Sequence, residues 1–395
     1  MFILFFIVFI NLVGFGIIIP LLPFYGEHYG ASPDQVTLLM AIYSLAQFIT
    51  APIWGRISDK YGRRPVLLFS LAGTAIAYVW LALASDLTSL YLVRAWGGLM
   101  AGSIAAAFAY MVDITSESNR AKGMGLLGAA FGLGFIAGPA IGGLLAGSDP
   151  AVTNFAIPSY AAAAFSGIAL LLAVFVLRES LAPEIRATIV AKSRKERWAQ
   201  FTHTMSRSDV RTTIILTFMS VLVFAGLEST FALWSGRTFG WGVAQNGYVF
   251  AYTGIISALV QGALVGPMSR KWGETHLVKQ GFVALGIGLF IIPFSNNLAM
   301  LLIAMAVVAY GFSLSSPALA SQLSLKVSEQ EQGAIQGIGR SASTLGRVLG
   351  PAGAGYIFAF AGKDWPFYVG AALMAIILLF SLTVGDKAPK VSKSL

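Results

Sequence analysis

Among the seventeen Asp and Glu residues of this sequence, only Glu228 lies well inside an apolar segment. A carboxylate in apolar surroundings takes up a proton more readily than one in water, which is what a proton carrier requires. Glu228 is therefore the candidate proton carrier. The alternatives are a structural ion pair with Arg347 or Arg94, contact with a cationic ligand, proton transfer by Asp59 or Asp113, and a mechanism without protons.

The other residue types that carry chemistry argue against an enzyme. The chain has no cysteine, which excludes disulfides, thiol nucleophiles and thiolate metal sites. His28, His203 and His276 lie outside the apolar runs, which argues against a buried imidazole metal site. Within those runs there is no nucleophile–base pair and no pair of carboxylates. We therefore expect no catalytic residue, no metal and no cofactor.

Composition places these residues in a membrane protein. The chain is 57% apolar and 11% charged, whereas soluble proteins carry about 25% charged residues. Its net charge of +9 does not indicate nucleic acid binding, because the basic residues lie in short loops between apolar runs. The apolar stretch from Met1 to Leu22 has no basic leader and no cleavage site, so we expect a first span and not a signal peptide.

Twelve apolar segments are long enough to cross a bilayer as helices. Their approximate bounds are 2–22, 36–55, 66–84, 88–112, 122–146, 157–177, 212–235, 246–267, 278–295, 298–323, 332–361 and 366–384. We therefore predict an all-α membrane protein with six spans in 1–178, a polar linker in 179–211, six spans in 212–386 and a basic tail in 387–395. If both termini are cytoplasmic, most of the 26 Lys and Arg residues lie on that side, as the positive-inside bias requires.

A short basic turn, Gly55–Pro65, connects the second and third segments and is called the first turn below. Gly55 and Gly62 give it backbone freedom, and Asp59 is the carboxylate among its basic residues. A weaker copy, Gly266–Gly273, follows 211 residues later and is called the second turn. Gly350-Pro351 likewise repeats Gly138-Pro139 at an offset of 212. Two motifs repeated at nearly the same offset indicate a parallel duplication.

These motifs carry a resemblance to a known family. The first turn, with Gly55, Asp59, Gly62, Arg63 and Arg64, resembles the G-x-x-x-D-x-x-G-R-[KR] loop of the major facilitator superfamily. A glycine pattern in the fifth segment is similar to a signature of its antiporter branch. That pattern consists of Gly125, Gly134, Gly138, Pro139, Gly142 and Gly143. Segments Phe9–Pro23, Ala41–Gln47 and Gly333–Gly337 follow the pattern of bacterial tetracycline and multidrug efflux proteins, which are drug:proton antiporters.

The resemblance implies a fold of two six-helix bundles with substrate bound between them near the midplane. It also implies that Asp59, Arg63 and Asp113 form a cytoplasmic latch that breaks when the inner gate opens; a purely structural salt bridge is the alternative. Arg94 is similar to a fourth-span arginine implicated in proton transfer or substrate charge. We read the glycine pattern as a rigid helix, kinked at Pro139, that seals the two halves; simple close packing is the alternative.

Candidate binding residues come from the spans that line the cavity in this family. Tyr43 and Gln47 share one helix face, as do Glu228 and Phe231. The predicted substrate-binding set is Asn11, Phe15, Tyr43, Gln47, Phe231, Tyr252, Tyr310 and Arg340. Such a pocket is apolar and aromatic with few polar anchors, which suits amphipathic organic molecules. Any single aromatic residue of this set can instead face lipid or the protein core.

One departure from the efflux pattern bears on the mechanism. Asn11 stands where those proteins carry a first-span aspartate, and an amide does not exchange a proton near neutral pH. We expect a monomeric exporter of amphipathic compounds that works by alternating access in exchange for protons, in a bacterial inner membrane. The alternative is a carrier of a lipid, lysolipid, siderophore or other metabolite with non-standard coupling. A sensor or scaffold is disfavoured because there is no sizeable soluble domain.

Overall fold

The computed structural model describes residues 1–116, 119–147, 153–181, 194–327 and 329–383. Within these ranges the chain is helical and contains no β-strand. Helices α1 to α14 are, in order, Phe2–His28, Pro33–Tyr61, Arg63–Ala82, Leu87–Ala101, Ile104–Asp113, Arg120–Ala146, Ala156–Val176, Arg194–Ser206, Ser208–Phe239, Val243–Leu259, Val265–Ile291, Leu298–Leu325, Glu329–Ala361 and Trp365–Thr383. The predicted basic tail, 387–395, and residues 182–193 of the predicted linker lie outside the described residues.

The described helices confirm an all-α membrane fold. Nine helical stretches in these ranges are long and apolar enough to cross a membrane. One of them, Val243–Phe294, has 52 residues, a length of about 78 Å as a helix and enough for two crossings of a 30 Å bilayer core. It joins α10 to α11 through a π-helical turn at Val260–Leu264. The total of twelve spans remains a prediction.

Helix starts follow local sequence signals. Helix α2 begins with a capping box in which the Gln35 side chain accepts a hydrogen bond from the Ser32 backbone N–H at 3.0 Å. Asp86 accepts from the Ser89 N–H at the start of α4, at 2.7 Å. Asn297 does the same for the Met300 N–H at the start of α12. These side chains satisfy amide groups that have no partner inside the helix.

The predicted fourth span, 88–112, is two helices, α4 and α5, separated at Gly102 and Ser103. Side chains of α2 bind the carbonyl groups that this break releases. Trp54 Nε1 donates to the Leu99 carbonyl at 2.6 Å, and Gln47 Nε2 donates to the Ala101 carbonyl at 3.4 Å. The break therefore costs little, because α2 replaces the lost backbone bonds.

The described chain forms two compact units. The larger unit contains α1 to α7 together with Ala225–Ala258 and Arg347–Pro366. The smaller unit contains α8, the start of α9 up to Phe224, Leu259–Gly346 and the last helix from Phe367. The predicted division into two bundles, 1–178 and 212–386, remains a prediction. The predicted linker is partly helical, since α8 occupies Arg194–Ser206 and α9 begins at Ser208.

Close helix packing in the larger unit repeats along the chain. A Cβ at Gly16 of α1 would lie 2.8 Å from the Gly134 carbonyl of α6. A Cβ at Gly226 of α9 would lie 3.1 Å from Ala354 of α13. Helices α9 and α13 are the counterparts of α1 and α6 in the predicted duplication. Both pairs therefore use small residues to bring their backbones together, as membrane helices commonly do.

Candidate functional site

The first turn builds a buried ion cluster around Arg63. Gly62 ends α2 with φ +109°, a conformation that L-residues rarely adopt. The reversal places Arg63, only 7% exposed, at the start of α3. Its guanidinium forms an ion pair with Asp59 and donates to Asp113 Oδ2 at 3.2 Å and Ser58 Oγ at 2.8 Å. The structure thus brings together the three residues of the predicted latch, whose role in gating remains a prediction.

Sequence reasoning missed a further carboxylate in this cluster, Glu179. Its two carboxylate oxygens accept hydrogen bonds from the backbone N–H groups of Arg63 and Arg64 at 2.9 and 3.1 Å. Glu179 therefore caps the start of α3, where a negative charge is favourable. The next residue, Ser180, donates to Asp113 Oδ2 at 2.9 Å. An acid so soon after an apolar span was the available signal, but its partners lie 115 and 116 residues away.

The candidate proton carrier is bound to an arginine. Glu228 of α9 accepts a hydrogen bond from Arg347 Nη1 of α13 at 3.1 Å. The carboxylate side chain is 15% exposed and the arginine side chain 36% exposed, so the carboxylate is the more buried partner. Of the two arginines considered from sequence, Arg347 forms the ion pair. Proton transfer by Glu228 remains a prediction.

Arg94 lies in a different setting from Arg347. It is 7% exposed, its Nε donates to the Leu39 carbonyl at 3.3 Å, and its guanidinium carbon lies 4.2 Å from the Tyr43 ring centroid. Among the described residues Arg94 forms no ion pair with a carboxylate. The Tyr43 ring also packs on Phe15, whose ring contacts Phe135. This cation–aromatic group can hold an electron-rich or anionic part of a ligand.

The other predicted binding residues have mixed surroundings. Asn11 accepts a hydrogen bond from Ser166 Oγ of α7 at 3.0 Å. Phe231 has no exposed surface and its ring packs against Trp234 and Phe250. Gln47 is engaged with α4, as described above, and Tyr252 is partly buried. Tyr310, partly buried, and Arg340, exposed, belong to the smaller unit. Their role in binding remains a prediction.

Most glycines of the α6 pattern pack closely against other helices, and the sealing role of this helix remains a prediction. Gly134, Gly138 and Gly142 face α1 so closely that a Cβ at any of them would collide with it. Gly143 instead approaches Ala244 of α10, with a Cβ only 3.0 Å from its Cα. A Cβ at Gly125 meets no atom within 4 Å. Pro139 lies inside α6, where it removes one backbone hydrogen bond.

Comparison with known proteins places this fold and these motifs in one family. The model of the Major Facilitator Superfamily matches residues 4–280 and 262–395. The class C tetracycline resistance protein of Escherichia coli is 32% identical, with 93% of each chain covered. Multidrug resistance protein 2 of Bacillus subtilis (strain 168) is 28% identical, covering 96% of this chain and 94% of that protein.

A solved structure agrees with the fold. The human organic anion transporter MFSD10 superposes with a TM-score of 0.74 at 24% identity, covering 96% of this chain and 98% of that one. The predicted resemblance to the superfamily, and within it to tetracycline and multidrug resistance proteins, is confirmed. The chain belongs to the Major Facilitator Superfamily and is an integral membrane transporter, not an enzyme.

Proposed function

We propose that this protein exports amphipathic organic compounds by alternating access in exchange for protons. The single observation that carries the proposal is the Glu228–Arg347 pair, in which a largely buried carboxylate joins two membrane helices. The tetracycline and multidrug resistance proteins among its relatives support drug-like cargo. We also propose that both termini are cytoplasmic and that the protein acts as a monomer in a bacterial inner membrane.

The pair suggests how a proton can drive movement. With Glu228 ionised, its charge attracts Arg347 and holds α9 against α13. When Glu228 takes up a proton, the ion pair loses its Coulomb attraction, which is stronger in a poorly hydrated interior than in water. The arginine is then free to find another partner. Protonation thus changes the link between α9 and α13, which is what coupling requires.

The neighbouring aromatic group supplies the proposed cargo site. An electrostatic interaction of Tyr43 with both Arg94 and Arg347 supports a cargo site close to the coupling pair. Flat apolar rings of a cargo can pack on Phe15 and Tyr43, while Arg94 attracts an electron-rich substituent. Cargo binding and the protonation of Glu228 can therefore influence each other through charge.

At the first turn, we propose that the Asp59–Arg63–Asp113 cluster acts as the latch expected from the resemblance. Asp59 is the most exposed of its three members, with 43% of its side chain accessible. Asp59 can therefore separate from Arg63 with less loss of buried surface than Asp113. The alternative is a fixed structural cluster, and transport by Asp59→Asn distinguishes the two.

Transport by purified protein in proteoliposomes tests the coupling. We expect a pH gradient to drive uptake of tetracycline or of a lipophilic dye identified by thermal shift, since bound ligand raises stability. Glu228→Gln should abolish proton-driven counterflow while equilibrium binding of the same compound is largely retained. Glu27→Gln is the matched control, because Glu27 also pairs with an arginine, Arg237, but at a half-exposed helix end.

Normal, pH-dependent transport by Glu228→Gln would remove this residue from the role. A second candidate, a metabolite or lipid carrier with other coupling, is favoured by Asn11, which hydrogen-bonds Ser166 and carries no titratable group. This second function would be supported if the wild-type protein transported such a compound at a rate that does not depend on the pH gradient.

A further inference from the structure

We propose that the first and second turns each carry a binding site for the headgroup of an anionic phospholipid. The residues are Lys60 and Tyr61 in the first turn, and Lys271 and Trp272 in the second. Each pair comes directly before the glycine that ends the helical run, Gly62 or Gly273. The proposal does not depend on the cargo or on proton coupling.

The lysine, the aromatic residue and the glycine are common to both turns. At an offset of 211, Lys60 corresponds to Lys271, Tyr61 to Trp272 and Gly62 to Gly273. The acidic residue of the first turn, Asp59, corresponds to Arg270 and is not kept. A lysine followed by a large aromatic residue thus persists where the neighbouring charges have changed sign. A task common to both turns explains this better than the ion cluster, which only the first turn builds.

In both pairs the lysine ammonium group lies near the neighbouring aromatic ring. The Lys60 ammonium lies 5.2 Å from the centroid of the Tyr61 ring, and the Lys271 ammonium lies 5.3 Å from the centroid of the Trp272 ring. Tyr61 is 57% exposed and Trp272 is 44% exposed. Large aromatic side chains gain little from such exposure in water. They are favoured at the membrane interface, where one side is apolar and the other hydrated.

Neither lysine is neutralised by a described carboxylate. Asp59 is engaged by Arg63, while Glu274 accepts hydrogen bonds from Ser269 and Ser321. Both ammonium groups are therefore available to an anion. Each lies in the last turn before a positive-φ glycine, where the helix end itself prefers a cation over an anion. The lysine, not the helix end, must attract the phosphate.

The surroundings of the two pairs favour a lipid over a free anion. Eight residues before each aromatic residue lies an exposed apolar side chain, Ile53 at 46% and Leu264 at 43%. In the proposed site these exposed apolar side chains contact acyl chains. Each lysine–aromatic pair therefore stands at the border between an apolar helix surface and a basic loop. A phosphate with an attached acyl tail fits this border, and anionic headgroups attract basic residues at membrane surfaces.

Native mass spectrometry of the full chain, released from detergent with defined lipids, tests the proposal. We expect phosphatidylglycerol to be retained at two sites in preference to phosphatidylcholine. Lys60→Gln and Lys271→Gln should each weaken one site about fivefold, and the double variant should weaken both. Lys122→Gln is the matched control, because Lys122 is also exposed but has no aromatic neighbour in sequence, and it should change nothing.

Two further variants separate charge from the ring. Lys60→Arg should retain phosphatidylglycerol, whereas Tyr61→Leu should weaken it without changing charge. Equal retention of the two lipids, equal losses in the Lys122 control, or full displacement by inorganic phosphate would overturn the proposal. If the double variant fails to fold, the single variants and Tyr61→Leu give the same discrimination.

Discussion

The first and second turns have the same backbone device and different chemistry. Gly62 and Gly273 both reverse the chain with positive φ, +109° and +75°, and ψ 160° in each case. In the first turn the acid–base pair is Asp59 and Arg63; at the same offset in the second turn the order is reversed to Arg270 and Glu274. The duplicated geometry was therefore retained while the charges were not.

The consequence is visible in the contacts. Arg63 is buried and binds Asp59, Asp113 and Ser58. Glu274 is partly exposed and is bound by two serine hydroxyls, Ser269 at 2.9 Å and Ser321 at 3.2 Å. A buried ionic cluster depends on all of its members, because a charge left without its partner is costly. The first turn should therefore be sensitive to the loss of its buried arginine, and the second turn more tolerant of the loss of its partly exposed glutamate.

Arg63→Ala should have the largest effect on stability. It leaves Asp113 with a single hydroxyl partner and removes the buried guanidinium, so we expect the free energy of unfolding to fall by about 3 kcal/mol. Denaturant unfolding in detergent micelles measures this. The matched change in the second turn, Glu274→Ala, should cost about 1.5 kcal/mol, because it removes two hydrogen bonds that serine hydroxyls donate to a partly exposed carboxylate. Equal losses in the two turns would contradict the asymmetry.

Asp59→Asn should affect transport more than stability. Its carboxylate is 43% exposed, so losing the pair with Arg63 should cost less than about 1 kcal/mol. If the cluster is a latch, transport in proteoliposomes should fall while ligand binding by thermal shift persists. Arg270→Gln, at the same position of the second turn, is the control and should transport normally. Normal turnover by Asp59→Asn would reduce the latch to ordinary packing.

Glu179→Gln should have a smaller effect that sharpens the comparison. The amide keeps one acceptor for the start of α3 but loses its negative charge, so we expect a loss of about 1 kcal/mol. At the same offset the sequence has Lys390, which lies outside the described residues, in place of this carboxylate. Unfolding measurements at low and high salt check the effect, which salt should reduce. A loss independent of salt would indicate altered packing instead.

Much of this arrangement was predictable because local sequence carries it. Backbone freedom at Gly62 and the pairing of Asp59 with Arg63 lie within one short turn, and the family resemblance implied that Asp113, at the end of the fourth span, joins them. The Glu179 cap was not predictable, since nothing in a single sequence links the end of the sixth span to the start of the third. The pairing of Glu228 was open for the same reason, because Arg94 and Arg347 were both intramembrane arginines. The break between α4 and α5 depends on side chains of α2 and leaves no periodic signal.

Proton release on cargo binding tests the central claim most directly. Wild-type protein in weakly buffered detergent solution, mixed with a compound that it binds, should acidify the solution. Glu228→Gln should bind the same compound and release no proton, while Glu27→Gln should behave as the wild type. Proton release from Glu228→Gln equal to that of the wild type would show that another group carries the proton and would contradict the account.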